Sequence, residues 1–452
     1  MEKKKWEEMS AEEKREARFA AWSSPKDPGG NDLPFQSPEA EATYKGAVTR
    51  FKDAVLMEKI PDRVPIFPIG TFMQTHLYGV TPKECLYDYA KLTETHKKFM
   101  VDYKPDYYGS PAFVGSGKIY EILDYKQYKW SGHGVSEQSG YQCVEGEYML
   151  AEDYPALIDD PTDFWLRTYM PRIFGALEPL KNLSPFPFLW EIVGVSGQMI
   201  PFGIPPVQEA LKALIAAGNE AMAWIQQIMG FEIEIRSMGF PTLMGGAAKA
   251  PYDIIADTLR GTRGMMMDLY RRPEMVLKAM ERLTPLYIKQ GVGMATQFGN
   301  PMVFIPLHKG ADGFMSDEQF KTFYWPTLKA LILGLVSEGC VPFLFCEGSY
   351  NTRLEYVKEL PKGSCFWIFD RTDMAKAKKM VGKKLCIGGN VPSGLLLTGT
   401  VDQVKDYCKN LIDVAGKGGG YIMATGTGMD EGKADTLHAM IDFTREYGVY
   451  KK

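Results

Sequence analysis

From residue 273 onward the chain repeats one unit, a helix-patterned stretch followed by a short apolar run. The stretch 273–297 precedes Met302–His308, 317–338 precedes Val341–Cys346, and a segment through Leu354 precedes Cys365–Asp370. The pattern continues with 373–381 before Leu385–Gly388, and with 401–415 before Gly420–Gly426. Strand-then-helix units of about 30 to 40 residues indicate right-handed crossovers and a parallel sheet. Gly115-Ser116-Gly117-Lys118 is followed by Ile119 where a phosphate loop needs Ser or Thr, so it is no nucleotide fingerprint. With that feature missing, a closed barrel is favoured over an open doubly wound sheet. The expected class is therefore α/β, a single (β/α)8 TIM-type barrel.

The first half fits this frame less regularly. Asp62–Gly70 reads as an opening strand, 81–104 as helix, 126–149 as a β-hairpin, 187–194 as a strand and 206–230 as helix. Residues 1–55 read as charged helices around the polar break Ser23–Asp32, an N-terminal helical extension that packs on the body or on a second subunit. That leaves 56–452 as one barrel domain with no internal linker, and the extension hints at a homodimer.

Composition narrows the partners. With 52 basic and 56 acidic residues the net charge is −4, and no basic tract suits a nucleic-acid backbone. No segment is apolar over the length that a membrane span needs, and the charged start is unlike a secretory signal. Seven cysteines scattered over 452 residues argue against a disulfide framework and for a reducing, cytoplasmic setting.

In a barrel, chemistry sits where the carboxyl ends of the strands meet. Three apolar runs end near groups that bind metals: His308, Cys346 with Glu347, and Cys386. Two thiolates, an imidazole and a carboxylate form a reasonable zinc set with an open position for substrate. The competing reading makes both cysteines small buried hydrophobes. Glu191, after an apolar run, and His308 are acid–base candidates, since a carboxylate near a core needs a partner or a task. Phe72, His76, Tyr107, Tyr108 and Phe113, in the early loops, are candidates for an aromatic substrate pocket.

Four motifs in register resemble the uroporphyrinogen decarboxylase superfamily. They are Asp62-Arg63-Val64-Pro65, the step Phe314–Phe320 with Trp325-Pro326, the turn Gly388-Gly389-Asn390-Val391-Pro392, and the closing run Gly420–Gly428. The resemblance spans residues 60–450 and makes Asp370 the counterpart of that family's strand-end aspartate. The loop Gly70–Thr75 lacks the arginines with which porphyrinogen decarboxylases hold substrate carboxylates, and Thr427 replaces their histidine. Length and the spacing of Cys346 and Cys386 are instead similar to the corrinoid-dependent methyltransferases of the aryl-ether O-demethylase type. That resemblance implies zinc-assisted transfer of methyl from an aryl methyl ether to the cob(I)alamin of a partner corrinoid protein. The chain itself has no corrinoid-binding Asp-x-His-x-x-Gly motif. Alternatives are a metal-free decarboxylase or lyase on an aromatic or tetrapyrrole acid, a methyltransferase acting on a methylated amine or thiol, and a non-catalytic corrinoid-binding barrel.

Overall fold

The computed structural model describes residues 4–27 and 29–451, so Met1–Lys3 of the charged start and Pro28 of the polar break lie outside the described residues, as does Lys452. Seven strands form one parallel sheet in the order β1 (Ile66–Phe67), β10 (Tyr421–Ala424), β9 (Cys386–Gly389), β8 (Phe366–Phe369), β7 (Val341–Cys346), β6 (Met302–Leu307) and β5 (Gly246–Ala247). The open edge between β1 and β5 is bridged by residues 106–108. The Asp106 N–H donates to the Ile66 carbonyl, the Tyr108 N–H donates to Pro241, and Tyr108 pairs in parallel with Thr242. This segment is the eighth stave, and the fold is the expected TIM-type barrel.

Strand alternation sorts the barrel residues into two layers. Met302, Val341, Phe343, Phe345, Phe366, Ile368, Cys386, Ile422 and Ala424 share one buried cluster inside the barrel. Val303, Ile305, Leu344, Cys346, Trp367, Phe369, Ile387 and Tyr421 belong to the second, between the sheet and the surrounding helices. The amino-terminal end of the barrel is stoppered by the helix Pro38–Leu56, whose Phe51 meets Phe366 edge-on at 5.9 Å and Tyr107 at 5.6 Å. Such T-shaped pairs add about 0.5–1.5 kcal/mol each beyond their burial. Phe19 and Trp22 of the helix Ala11–Ser23 extend the same plug.

One expectation for the first half needs revision. The run 187–194 is not a strand: a 3-10 turn at Phe186–Phe188 leads into the helix Glu191–Met199. Its apolar residues had suggested a buried strand, but Trp190, Ile192 and Val193 are exposed. The region 126–149 holds a small separate sheet in which β2 (Tyr128–Ser131) pairs antiparallel with β4 (Tyr141–Cys143) and in parallel with β3 (Gly134–Val135). That antiparallel pair agrees with the expected hairpin.

Candidate active site

The carboxyl ends of the strands open onto a cavity of about 480 Å³. Phe67, Phe304 and Phe345 rise from the barrel interior as its floor and walls, and Phe113 and Tyr141 close it from the loops above. Phe113 packs edge-on against Phe304 at 5.7 Å, and its carbonyl accepts a hydrogen bond from the Tyr141 hydroxyl at 3.0 Å. Three carboxyl groups, Glu347, Asp370 and Asp430, share this lining with Thr71 and Thr427. An aromatic chamber with a few convergent polar groups at the top of a barrel is the form that small-molecule sites take.

Asp370 stands one residue past β8 and accepts the Gly348 N–H at 3.0 Å. Burial raises its pKa, partly offset by the Gly348 N–H and by Arg371. Gly426 permits this placement, because a Cβ there would lie 3.0 Å from the Asp370 Cα. Asp430 is likewise raised by desolvation, against a hydrogen bond from the Phe72 backbone.

His308 and Glu347 extend past the ends of β6 and β7, with Nε2 and Oε1 3.7 Å apart. The imidazole is fixed from behind, its Nδ1 lying 2.6 Å from an Asp257 oxygen. Burial alone would lower the His308 pKa, but the hydrogen bond and charge of Asp257 outweigh it and raise it. Burial likewise opposes the charge of Asp257, yet His308 and Lys249 hold its carboxyl below the usual range. One turn earlier, fully buried Asp253 accepts the backbone N–H groups of His308 and Lys309 and the Tyr324 hydroxyl. Burial, then the neighbouring charge of Asp257, push its pKa up to about 6. Two acids one helical turn apart thus anchor the loop that carries His308.

The anticipated zinc set does not assemble. Cys346 ends β7 facing outward into the helix layer, whereas Cys386 begins β9 facing inward. The register Phe343↔Phe366↔Cys386 puts Cys386 three residues below Cys346. At ~3.3 Å per residue this is roughly 10 Å along the strand, besides lying on the opposite face of the sheet. Zinc needs each sulfur at about 2.3 Å, so one ion cannot bridge this pair. Burial also raises both thiol pKa values, opposing the thiolate form. No group of three or more His, Cys, Asp or Glu side chains among the described residues is arranged to hold a metal. Of the expected ligands only His308 and Glu347 come together, so the residues present do not fit the expected zinc site.

The other candidates divide. Phe113, Glu347 and Asp370 line the cavity. Phe72 is buried behind it, edge-on to Tyr141 at 5.5 Å. Tyr107 belongs to the lower plug and donates its hydroxyl to the Ala47 carbonyl, and Tyr108 packs outside the barrel on Phe231. His76 is exposed at the end of the short helix Met73–His76. Glu191 is exposed on its own outlying helix rather than at a strand end. Tyr141, Phe304, Phe345 and Asp430 were missed. For Phe304 and Phe345 the signal was available, since both share strand parity with residues that end at the mouth.

No curated protein matches the chain at significant similarity. A solved structure of a methyltransferase from Methanosarcina mazei superposes over 90% of this chain and 98% of its own, with a TM-score of 0.57 and 15% identity. Residues 232–447 match the uroporphyrinogen decarboxylase (URO-D) family, a span that runs from before β5 to beyond β10. That matched stretch supplies His308, Glu347, Asp370 and Asp430, and over it the chain is similar to the uroporphyrinogen decarboxylase family.

Proposed function

We propose that the protein is a methyltransferase that takes a methyl group from a small aryl methyl ether and passes it to the reduced cobalt of a corrinoid carried by a partner protein. The observation that carries this reading is a ring-sized aromatic cavity with a burial-raised carboxyl, Asp370, on its wall. The structural likeness to the archaeal methyltransferase supports the transferase class, and the missing arginines around Gly70–Thr71 speak against a polycarboxylate tetrapyrrole.

In this reaction the cobalt electron pair forms the new bond to the methyl carbon, the methyl C–O bond breaks, and its electrons remain on the phenolic oxygen. Phenols have a pKa near ~10, so the departing oxygen needs a proton or a charge partner. Asp370 is the acid assigned to that proton, since an elevated carboxyl pKa brings it nearer the working pH. His308, held by Asp257 and facing Glu347, is the residue assigned to resupply protons by way of Glu347. The rings stack the donor and exclude water from the breaking bond. No step is assigned to a metal on Cys346 or Cys386.

The test is methyl transfer from methoxyarenes to free cob(I)alamin, followed by the absorbance of methylcobalamin. Wild-type protein is expected to transfer, and Asp370→Asn to lose roughly 100-fold or more of kcat, the range for a general acid. Failure of every methoxyarene with wild-type protein would overturn the proposal.

A further inference from the structure

Resting on that reading, we infer that the donor is cationic: an aryl methyl ether whose ring also bears an ammonium group. The charged side chains that line the cavity share one sign. Its lining contains Glu347, Asp370 and Asp430, and no lysine, arginine or histidine. The cations nearby are engaged elsewhere or point into solvent. Lys249 and Lys309 both reach Asp257, at 2.7 and 3.7 Å. His308 stands behind Glu347 and is tied to the same aspartate. Arg371 has its side chain 83% exposed, with Nε 3.7 Å from Asp370. Asp430 has no ion pair among the described residues, and Glu431 beside it adds charge of the same sign.

The walls reinforce this choice. Phe67, Phe113, Tyr141, Phe304 and Phe345 surround the same space, and aromatic faces carry negative potential that attracts an organic ammonium. A ring bearing a carboxylate would instead meet the carboxylates of Glu347 and Asp430, and no cationic side chain lines the chamber to receive it. Repulsive elements of this sort discriminate between ligands as effectively as attractive ones. The sequence expectation of an aromatic pocket is thereby refined by charge: the chamber admits the ring, and the acids select what the ring carries.

The experiment compares three ethers of one size with the full-length protein and free cob(I)alamin. They are 2-(4-methoxyphenyl)ethylamine, 2-(4-methoxyphenyl)ethanol and 4-methoxyphenylacetate, which are cationic, neutral and anionic at neutral pH. The expected kcat/KM favours the amine over the alcohol by about tenfold and over the acid by about a hundredfold, with the preference shrinking as salt is raised. Asp430→Asn is expected to compress the amine-to-acid ratio. In parallel, calorimetry compares 2-phenylethylamine with phenylacetate, which have no methyl group to give. Equal or reversed preferences in both measurements would overturn the cationic donor while leaving methyl transfer standing. Selective binding of phenylethylamine without turnover of any ether would retain the cation site and remove the methyl-transfer reading.

Discussion

The two ends of the barrel are built from the same side-chain stock and arrive at opposite properties. At the amino-terminal end, Phe51, Tyr107, Phe343 and Phe366 close ring against ring, with the helix Pro38–Leu56 as a stopper. At the carboxyl end, Phe67, Phe113, Phe304 and Phe345 leave a chamber of about 480 Å³, and carboxyl groups occupy the places that a plug would fill. Aromatic content therefore does not mark a site in this fold. What marks it is the end of the barrel at which rings coincide with desolvated acids, since only there is burial energy given up to keep space open.

Stability should depend most on the plug. Phe51→Ala is expected to cost about 3–5 kcal/mol of stability, read as a fall in the denaturant midpoint, with little change in methyl-transfer rate per folded molecule. A catalytic defect without destabilisation would mean that the two ends are not separable. The cysteines sharpen the contrast at intermediate size. Cys346→Ala and Cys386→Ala should each cost about 1–2 kcal/mol as lost packing, while bound metal in elemental analysis stays at the wild-type level. Metal lost in both variants would restore a shared site and refute the opposed orientation. The smallest effect belongs to the mouth. Asp257→Asn removes the partner that raises the His308 pKa, so NMR titration should move the imidazole down to its ordinary 6.5 or below. The sign follows from linkage: a folded pKa above the unfolded one gives stability that is complete below pH ~6.5 and lost as pH rises through the folded value. The variant should lose that pH dependence.

Much of the frame was legible in the residues. The helix-then-strand repeat after residue 273 specified five parallel strands, because each run is too short and too apolar for anything but a buried strand. Asp370 and Glu347, read from strand ends, and Phe113, read from an early loop, all line the cavity. Cys346 misled because a residue at a strand end was assumed to face inward, and a single step of parity reverses that. Glu191 misled for another reason: an apolar run at 187–194 suggested burial, but its helix stands out from the body. Asp253 and Asp257 gave no local signal, since their partners at His308 and Lys309 are more than fifty positions away. The motif Asp62-Arg63-Val64-Pro65, which carried the resemblance, proves structural: Arg63 ion-pairs with Asp106 on the eighth stave.

That last contact has a consequence for how the barrel stays shut. Elsewhere neighbouring strands are stitched by several backbone hydrogen bonds, but the stave at 106–108 makes few. Its fastening passes to one carboxylate, which accepts the Ile66 N–H at 2.8 Å and clasps Arg50 and Arg63 together. Closure of the whole ring thus depends on a side-chain buckle rather than a ladder. Gly109 and Phe113 follow that buckle directly in the chain and border the chamber, so the seam that one substitution could unfasten is also the seam that sets the width of the mouth.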